Sequence, residues 1–314
     1  MNPSEVQLWL APMEGVVDSI MRDFLTGFGG IDHCVTEFIR VCDQTITDEV
    51  FYRECPELQR GCQTSSGVPI TVQLLGSDID SLSRNALRAV VLGARHIDLN
   101  FGCPAKTVNR HDGGAALLKS PDRLFQIISG IRARLPAEIP LSAKIRLGFE
   151  SPEDCFENAA ALESAGASHL TIHCRTKKQM YAPSADWTWI ARIKQQVKIP
   201  IIANGDIFSV QDFLRCREIT GCDAFMIGRG ALRDPLLFSK IKGQVAEDAV
   251  IKGPMIRDFF QRNCEVSPHF AQARTKQWLK NMSLSSAAVL SFFDKIKVIT
   301  EPAQFERELQ RWDQ

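Results

Sequence analysis

A (β/α)₈ barrel followed by a short helical segment is the fold this sequence predicts, from two alternating signals and what lies between them. Three apolar runs begin after a proline: Val68-Pro69-ITVQLL, Ile139-Pro140-LSAKIRL and Ile199-Pro200-IIANGDI. Three others begin shortly after a glycine that closes a helical pattern: LGARHIDLN, AGASHLTIHC and TGCDAFMIG. Along the chain the two kinds alternate, at Pro69, Gly93, Pro140, Gly166, Pro200 and Gly221. Proline donates no ladder hydrogen bond and suits a first strand residue, whereas glycine supplies the left-handed cap that ends a helix. Helical patterns fill the intervals, which is the signature of parallel strands joined by crossover helices.

The elements follow in order. Leu8–Ala11 and Cys34–Thr36 are the first two strands, and the six punctuated runs bring the count to eight in about 245 residues. Leu82-Ala86-Leu87-Val90-Val91 and Leu124-Ile127-Ile128-Ile131 mark the apolar faces of the helices after the third and fourth strands. Beyond about residue 250 the alternation stops. There Phe270-Ala273-Trp278 and Ala287-Leu290-Phe293 mark helices, so residues 1–248 are expected to form the barrel and 249–314 a helical domain. Lys252-Gly253-Pro254 is the expected joint. A doubly wound sheet is the alternative, but no GxGxxG follows the first strand.

Composition excludes several classes. The ten cysteines contain no CxxC pair, which argues against a zinc knuckle, an iron–sulfur motif or a thioredoxin-type site. The histidines show no HxxxH pairing, and no metal is expected. No apolar run approaches the roughly 20 residues of a membrane span, and no signal peptide is evident, so a cytoplasmic protein with reduced thiols is expected. Net charge is zero, yet residues 252–314 carry ten basic and seven acidic residues. Three runs are basic: Lys106–His111, Arg175–Lys178 and Arg274–Lys280. Any one of them could be a solvated face.

In a barrel, function gathers at the C-terminal strand ends. Those ends hold Ala11-Pro12-Met13, Gln73, Asn100 leading to Cys103, Lys144 and Arg146, His173 and Arg175, Asn204-Gly205-Asp206, and Gly228-Arg229-Gly230. Lys144/Arg146 and His173/Arg175 are spaced by two, so each pair projects to one face, and four such groups favour an anionic ligand. Glycines after the seventh and eighth strands suit backbone phosphate binding, although a tight turn explains either alone. Lys144 is placed to stabilise a reduced flavin, and Gln73 to bond a planar imide edge. FMN is favoured, with a phosphorylated sugar as the alternative.

At this point LAPMEGV, VQLLG, DLNFGCPAKTV with GGAALL, AKIRLG, HCRT, ANGDI and DAFMIGRGAL together resemble the tRNA-dihydrouridine synthases, in order over roughly residues 8–235. EFIRV, CPELQ and ARTKQWL resemble the bacterial C-type subfamily, whose target is the uridine at tRNA position 16. The resemblance implies an FMN barrel, a helical tRNA-recognition domain, and NADPH-dependent reduction of a uridine 5,6 double bond in the D-loop. It implies cofactor contacts at Ala11, Pro12, Met13, Gln73, Lys144, His173, Asn204, Gly205, Asp206, Gly228 and Arg229. It implies tRNA contacts at Asn100, Arg40, Tyr181, Arg274, Lys276, Asn281 and Lys297. A monomer is expected. The chain departs from the family at Phe101 and in the loop Arg110-His111-Asp112.

Cys103 stands between Gly102 and Pro104, in a turn that looks too open to bury it. A thiol with a pKa of about 8.5 is mostly protonated near neutrality and can serve as an acid. The expectation is that Cys103 donates the proton that completes reduction, since no activating base for a nucleophile stands near it in sequence. Arg274, Gln277 and Asn281 share one face of a helix, which is expected to meet RNA. A flavin barrel reducing a small pyrimidine or another ene substrate remains the alternative.

Overall fold

The strands form where alternation lets one face fill the barrel and the other pack on helices, and they run β1 Gln7–Leu10, β2 His33–Val35, β3 Ile39–Arg40, β4 Ile70–Leu75, β5 Ile97–Asn100, β6 Leu141–Arg146, β7 Leu170–His173, β8 Ile201–Asn204 and β9 Ala224–Ile227. A computed structural model describes residues 6–110 and 112–312 of the chain. All the ladders between these strands are parallel. The sheet order β2-β1-β9-β8-β7-β6-β5-β4 closes on itself through β2–β4, so eight strands make the barrel. The two-residue β3, absent from the sequence expectation, extends β4 by pairing Ile39 with Leu74 and Arg40 with Leu75.

The punctuation works as its chemistry requires. Gly93, Gly166 and Gly221 have φ of +113°, +94° and +59°, a region that L side chains rarely adopt. Each ends a helix and turns the chain into β5, β7 or β9.

The outward strand faces carry Leu8, Leu10, Val72, Leu74, Leu99, Ile145 and Ile172 into the core shared with the helices. The inward faces divide into two halves. Trp9, Ala11, Val35, Ile202 and Met226, from β1, β2, β8 and β9, make a small apolar cluster. Opposite them, β4–β7 contribute buried Thr71, Gln73, Asp98, Ser142, Arg146, Thr171 and His173. At the N-terminal end of the barrel Trp9 stacks on His33 (4.3 Å, 13° between planes) and lies 5.3 Å from His169. His96 completes the group, 5.1 Å from His169. Nothing in the linear spacing of these histidines announces the cluster, because each comes from a different strand or its approach.

Helix existence was legible but helix phase was only partly so. Leu124, Ile127, Ile128 and Ile131 are wholly buried as expected, whereas Leu87 and Val91 point to solvent, leaving Leu82, Ala86 and Ala89 as the packed face. After the barrel come helices Gly253–Cys264, Pro268–Met282, Ala287–Ile296 and Pro302–Gln310. Here the expected faces shift: Ala273, Ala287 and Leu290 are exposed, while Ala271, Val289, Phe292 and Ile296 are buried. Trp278 is buried as expected, packed edge-on against Phe24 (5.1 Å) and Phe259 (4.9 Å), which binds this segment to the first barrel helix.

Candidate active site

A cavity of about 560 Å³ opens at the C-terminal mouth of the barrel. It gathers Ala11, Pro12, Met13, Gln73, Asn100, Cys103, Lys144, His173, Asn204, Gly205, Asp206, Gly228 and Arg229 onto one wall system. Of the expected RNA-facing residues, Tyr181 and Asn281 also line it. The volume falls within the range of sites that enclose cofactors.

Cys103 is not held in an open turn; only 8% of it is exposed, and its thiol packs beside Leu75 and Val108. The turn closes because its backbone is tied down: the Cys103 carbonyl accepts from Ala115 N–H (3.1 Å) and Asn109 Nδ2 (3.0 Å). Gly114, at φ +58°, backs this seat; a Cβ there would stand 2.9 Å from Cys103 O and 3.1 Å from Cys103 Cβ. That contact explains the second glycine of the GGAALL segment. Burial pushes the thiol pKa up, with Glu14 adding to the shift, against the pull of the Ala105 N–H and of Arg146 and Arg40. Cys103 therefore keeps its proton at neutral pH.

Lys144 Nζ donates to Asn204 Oδ1 at 3.1 Å, and burial beside Arg146 lowers its pKa to about 8. Most Lys144 remains charged at pH 7. His173 is driven well below its ordinary value by burial and by Arg146, Lys144, Arg175 and Arg229, so its imidazole is neutral. The cavity thus offers one ammonium, one neutral ring and one protonated thiol.

The arginines correct the expectation that four charged groups on β6 and β7 face the ligand. Arg146 is spent on carbonyls, those of Gly102 (2.9 Å), Thr176 (3.2 Å) and Met180 (3.0 Å), and so braces the loops after β5 and β7. Arg175 is 2% exposed and grips both carboxylate oxygens of Asp206 while donating to Pro183 O. Asp206 also accepts from Arg229 at 2.8 Å, so its side chain holds the arginine at the cavity edge. Gly205, at φ +129°, is required there, since a Cβ would meet Ala185 Cβ at 2.9 Å. Tyr181, 54% exposed, lies over Arg229 (4.9 Å) and Arg146 (5.7 Å) at the cavity mouth.

The basic runs are less free than their sequence suggests. Lys106 and Arg110 are exposed, while His111 lies outside the described residues. Arg274 is 7% exposed and turned to the barrel, donating to Gly15 O (2.9 Å) and Val16 O (2.6 Å) and pairing with Asp18 (2.9 Å). Gln277 also donates to Gly15 O (3.0 Å). Arg274, Gln277 and Asn281 thus do not present one common face to solvent. Lys276 bonds the carbonyls of Lys297 and Ile299, and Lys297 pairs with Asp294 on the surface. Arg40 is exposed on β3. Phe101 is buried in the outer core, where its bulk has no access to the cavity.

Sequence reading missed Asp98. It is 3% exposed on the inner face of β5, accepting from Gln73 Nε2 (2.7 Å) and Ser142 Oγ (2.6 Å). The signal was present in the alternation Asp98-Leu99-Asn100, which sends a carboxylate into the barrel with the asparagine. Among the described residues no group of three or more His, Cys, Asp or Glu side chains could hold a metal, and no helix is long and apolar enough to cross a membrane.

Fold and site define a (β/α)₈-barrel enzyme whose thiol, ammonium and imidazole groups gather at the C-terminal mouth. Within that class the chain belongs to the dihydrouridine synthase (Dus) family, whose model matches residues 9–312. It is 45% identical to the tRNA-dihydrouridine(16) synthase of Neisseria meningitidis serogroup B, over 97% of this chain and 96% of the relative. The protein of that name in Pseudomonas putida is 46% identical, over 97% and 96%, and that of Vibrio cholerae 43%, over 96% and 95%. Among solved structures, 2-naphthoyl-CoA reductase with its 2-naphthoyl-CoA superposes at a TM-score of 0.60 with 13% identity, over 78% of this chain and 51% of that one. That likeness shows the barrel alone.

Proposed function

We propose that this protein reduces the 5,6 double bond of uridine 16 in the D-loop of cytoplasmic tRNA, with FMN as its cofactor and NADPH as reductant. The observation that carries the chemistry is Cys103, a seated thiol kept protonated, on the same cavity wall as Lys144 and His173. The residues fit a flavin nucleotide: a charged amine and an amide donor lie deep in the barrel, and Arg229 with two glycine turns lies at the anion edge. When bound, FMN supplies the hydride that C6 of the base takes up.

The chain's own residues do the rest. Lys144 offers positive charge to the ring system and Asn204 orients it through the 3.1 Å bond. Gln73 and Asn100 present amide groups to the bound rings. Cys103 transfers its proton to C5, and the thiolate regains one from solvent. The base must leave its local stack to reach the cavity, and the exposed ring of Tyr181 is positioned to stack on a nucleotide as it enters. We take residues 249–314 as the tRNA-recognition domain, with Asn281 at the cavity and Lys280 and Lys297 on its exposed surface. Phosphate contacts from such a surface need no net positive charge on the whole chain.

The test is NADPH oxidation by the purified protein with and without unmodified tRNA, followed by mapping of dihydrouridine. TRNA-dependent product at position 16 is expected. No product, or product at a different D-loop position, overturns the reading or its target respectively.

A further inference from the structure

Two chains of hydrogen bonds converge on Asp98. On one arm Gly102 N–H donates to Asn100 Oδ1 (2.9 Å), Asn100 Nδ2 donates to Gln73 Oε1 (2.8 Å), and Gln73 Nε2 donates to Asp98 Oδ2 (2.7 Å). On the other, Thr71 Oγ1 meets His96 Nδ1 (3.1 Å), His96 Nε2 meets Ser142 Oγ (2.9 Å), and Ser142 Oγ donates to Asp98 Oδ1 (2.6 Å). Gln73, Asp98, Ser142 and Thr71 are all at most 3% exposed.

We propose that Asp98 is a positioning residue: as a group that only accepts, it fixes which way the amides of Gln73 and Asn100 face and so seats the peptide next to Cys103. The argument is one of direction. A side-chain amide keeps its shape when its oxygen and nitrogen exchange places, so packing alone does not orient it. At one end of this arm the Gly102 N–H can only donate. At the other the ionised carboxylate can only accept. Between those two fixed ends a single arrangement of both amides leaves no donor facing a donor. It also leaves the second Nε2 hydrogen of Gln73 for whatever fills the cavity, a consequence that rests on the FMN reading above.

The same logic sets the other arm. Ser142 has one hydroxyl hydrogen and gives it to Asp98, so its oxygen must accept from His96. His96 then carries its proton on Nε2, and Thr71 donates to Nδ1. Burial holds His96 neutral, with its pKa lowered to about 3. Burial raises Asp98 to about 6, which leaves it ionised at pH 7.5.

Two substitutions separate this role from simple core filling. Asp98→Asn can still turn its oxygen to Gln73, and its NH₂ then faces Ser142. The hydroxyl swings to His96 Nε2, and the imidazole moves its proton to Nδ1. Hydroxyls and a neutral imidazole can reverse; the Gly102 amide cannot. Asp98→Ala removes the acceptor and leaves the Gln73–Asn100–Gly102 arm without its fixed end.

The experiment is ¹⁵N NMR of the histidine rings and of the Gly102 amide in the FMN-loaded protein at pH 7.5, with turnover measured on the same samples. His96 is expected as the Nε2–H tautomer in the wild type and as Nδ1–H in Asp98→Asn, with dihydrouridine formation retained within a few-fold. Asp98→Ala is expected to speed Gly102 hydrogen exchange and to cut turnover by about tenfold or more, the scale of a misplaced catalytic group. An Nδ1–H tautomer in the wild type overturns the proposed direction, and that readout stands even if Asp98→Ala fails to fold. Equal Gly102 exchange and turnover in the Asn and Ala variants overturns the positioning role. A wild type that forms no dihydrouridine sinks the functional reading while leaving the tautomer result to be judged by itself.

Discussion

The guanidinium of Arg274 and the carboxylate of Asp18 meet at 2.9 Å across the junction between the helical segment and the loop after β1. The same guanidinium holds the Gly15 and Val16 carbonyls, a few residues beyond Ala11-Pro12-Met13 at the cavity wall. A residue expected from sequence to meet RNA is therefore a latch on the loop beside the cavity. Arg274→Ala should cost about 1–3 kcal/mol, the range for stranding buried polar partners, and lower Tm by several degrees. Flavin retention should weaken too, because the latched loop leads back to Ala11-Pro12-Met13. A thermal melt and a flavin assay check this; tRNA affinity falling alone, with Tm and flavin content intact, would return Arg274 to an RNA-only role.

Cys103→Ala should leave flavin reduction by NADPH largely intact and slow dihydrouridine formation by about 10²–10⁴-fold, the usual contribution of a general acid. Rapid-mixing measurements of the two half-reactions separate the effects. Wild-type product yield at early times would remove the thiol from the mechanism.

Gly114→Ala should disturb the same step without touching the thiol. The added methyl collides with the Cys103 carbonyl and Cβ, and the left-handed φ penalises it further. Reduced turnover with normal flavin content is expected, at a stability cost of about 1–2 kcal/mol. If turnover matches the wild type, the seat of Cys103 is more forgiving than its geometry implies.

Stability should fall on mild acidification. Burial depresses His33, His96 and His169, the last two to about 3 and about 4, and His173 is depressed as well. The unfolded chain protonates first, so this stability is complete above about pH 6.5 and drains away as the pH drops toward 4. Asp98 opposes the trend, because its folded pKa of about 6 exceeds the ordinary 3.8 and the folded state gains between those values. Burial raises Glu37 as well, and two carboxyls do not offset four imidazoles. Denaturant titrations should give a lower unfolding free energy at pH 5.5 than at pH 7.5, and equal values would show that the histidines are not held neutral by the fold.

What the sequence made legible was what depends on local chemistry. Pro69, Pro140, Gly93 and Gly166 punctuate strands and helices through their own backbones, so the barrel could be read from them. Cys103, Lys144 and Arg229 lie at strand ends, where topology alone brings them to one mouth. Arg175, Arg274 and Asp98 were misread or missed for one shared reason. Their partners, Asp206, Asp18 and Ser142, are distant in the chain, and a charge looks free until its counter-group is seen. Helix phase in the last segment failed because Ala287 and Leu290 are apolar yet face solvent.

In chain order the barrel is completed when β9 pairs with β1, Leu10 lying against Ile227, so the last strand made must find the first. Met13 on the β1 side and Gly228 on the β9 side then come together, where a Cβ on Gly228 would sit 3.3 Å from the methionine sulfur. The cavity edge thus straddles the seam. During synthesis no emerging chain can possess that edge until the strand at residues 224–227 has left the ribosome, and the loop entropy of joining such distant segments is met before any ligand can help. Once closed, a ligand bound across the seam opposes its reopening by mass action, so the supply of whatever fills the cavity sets how long each newly made barrel survives.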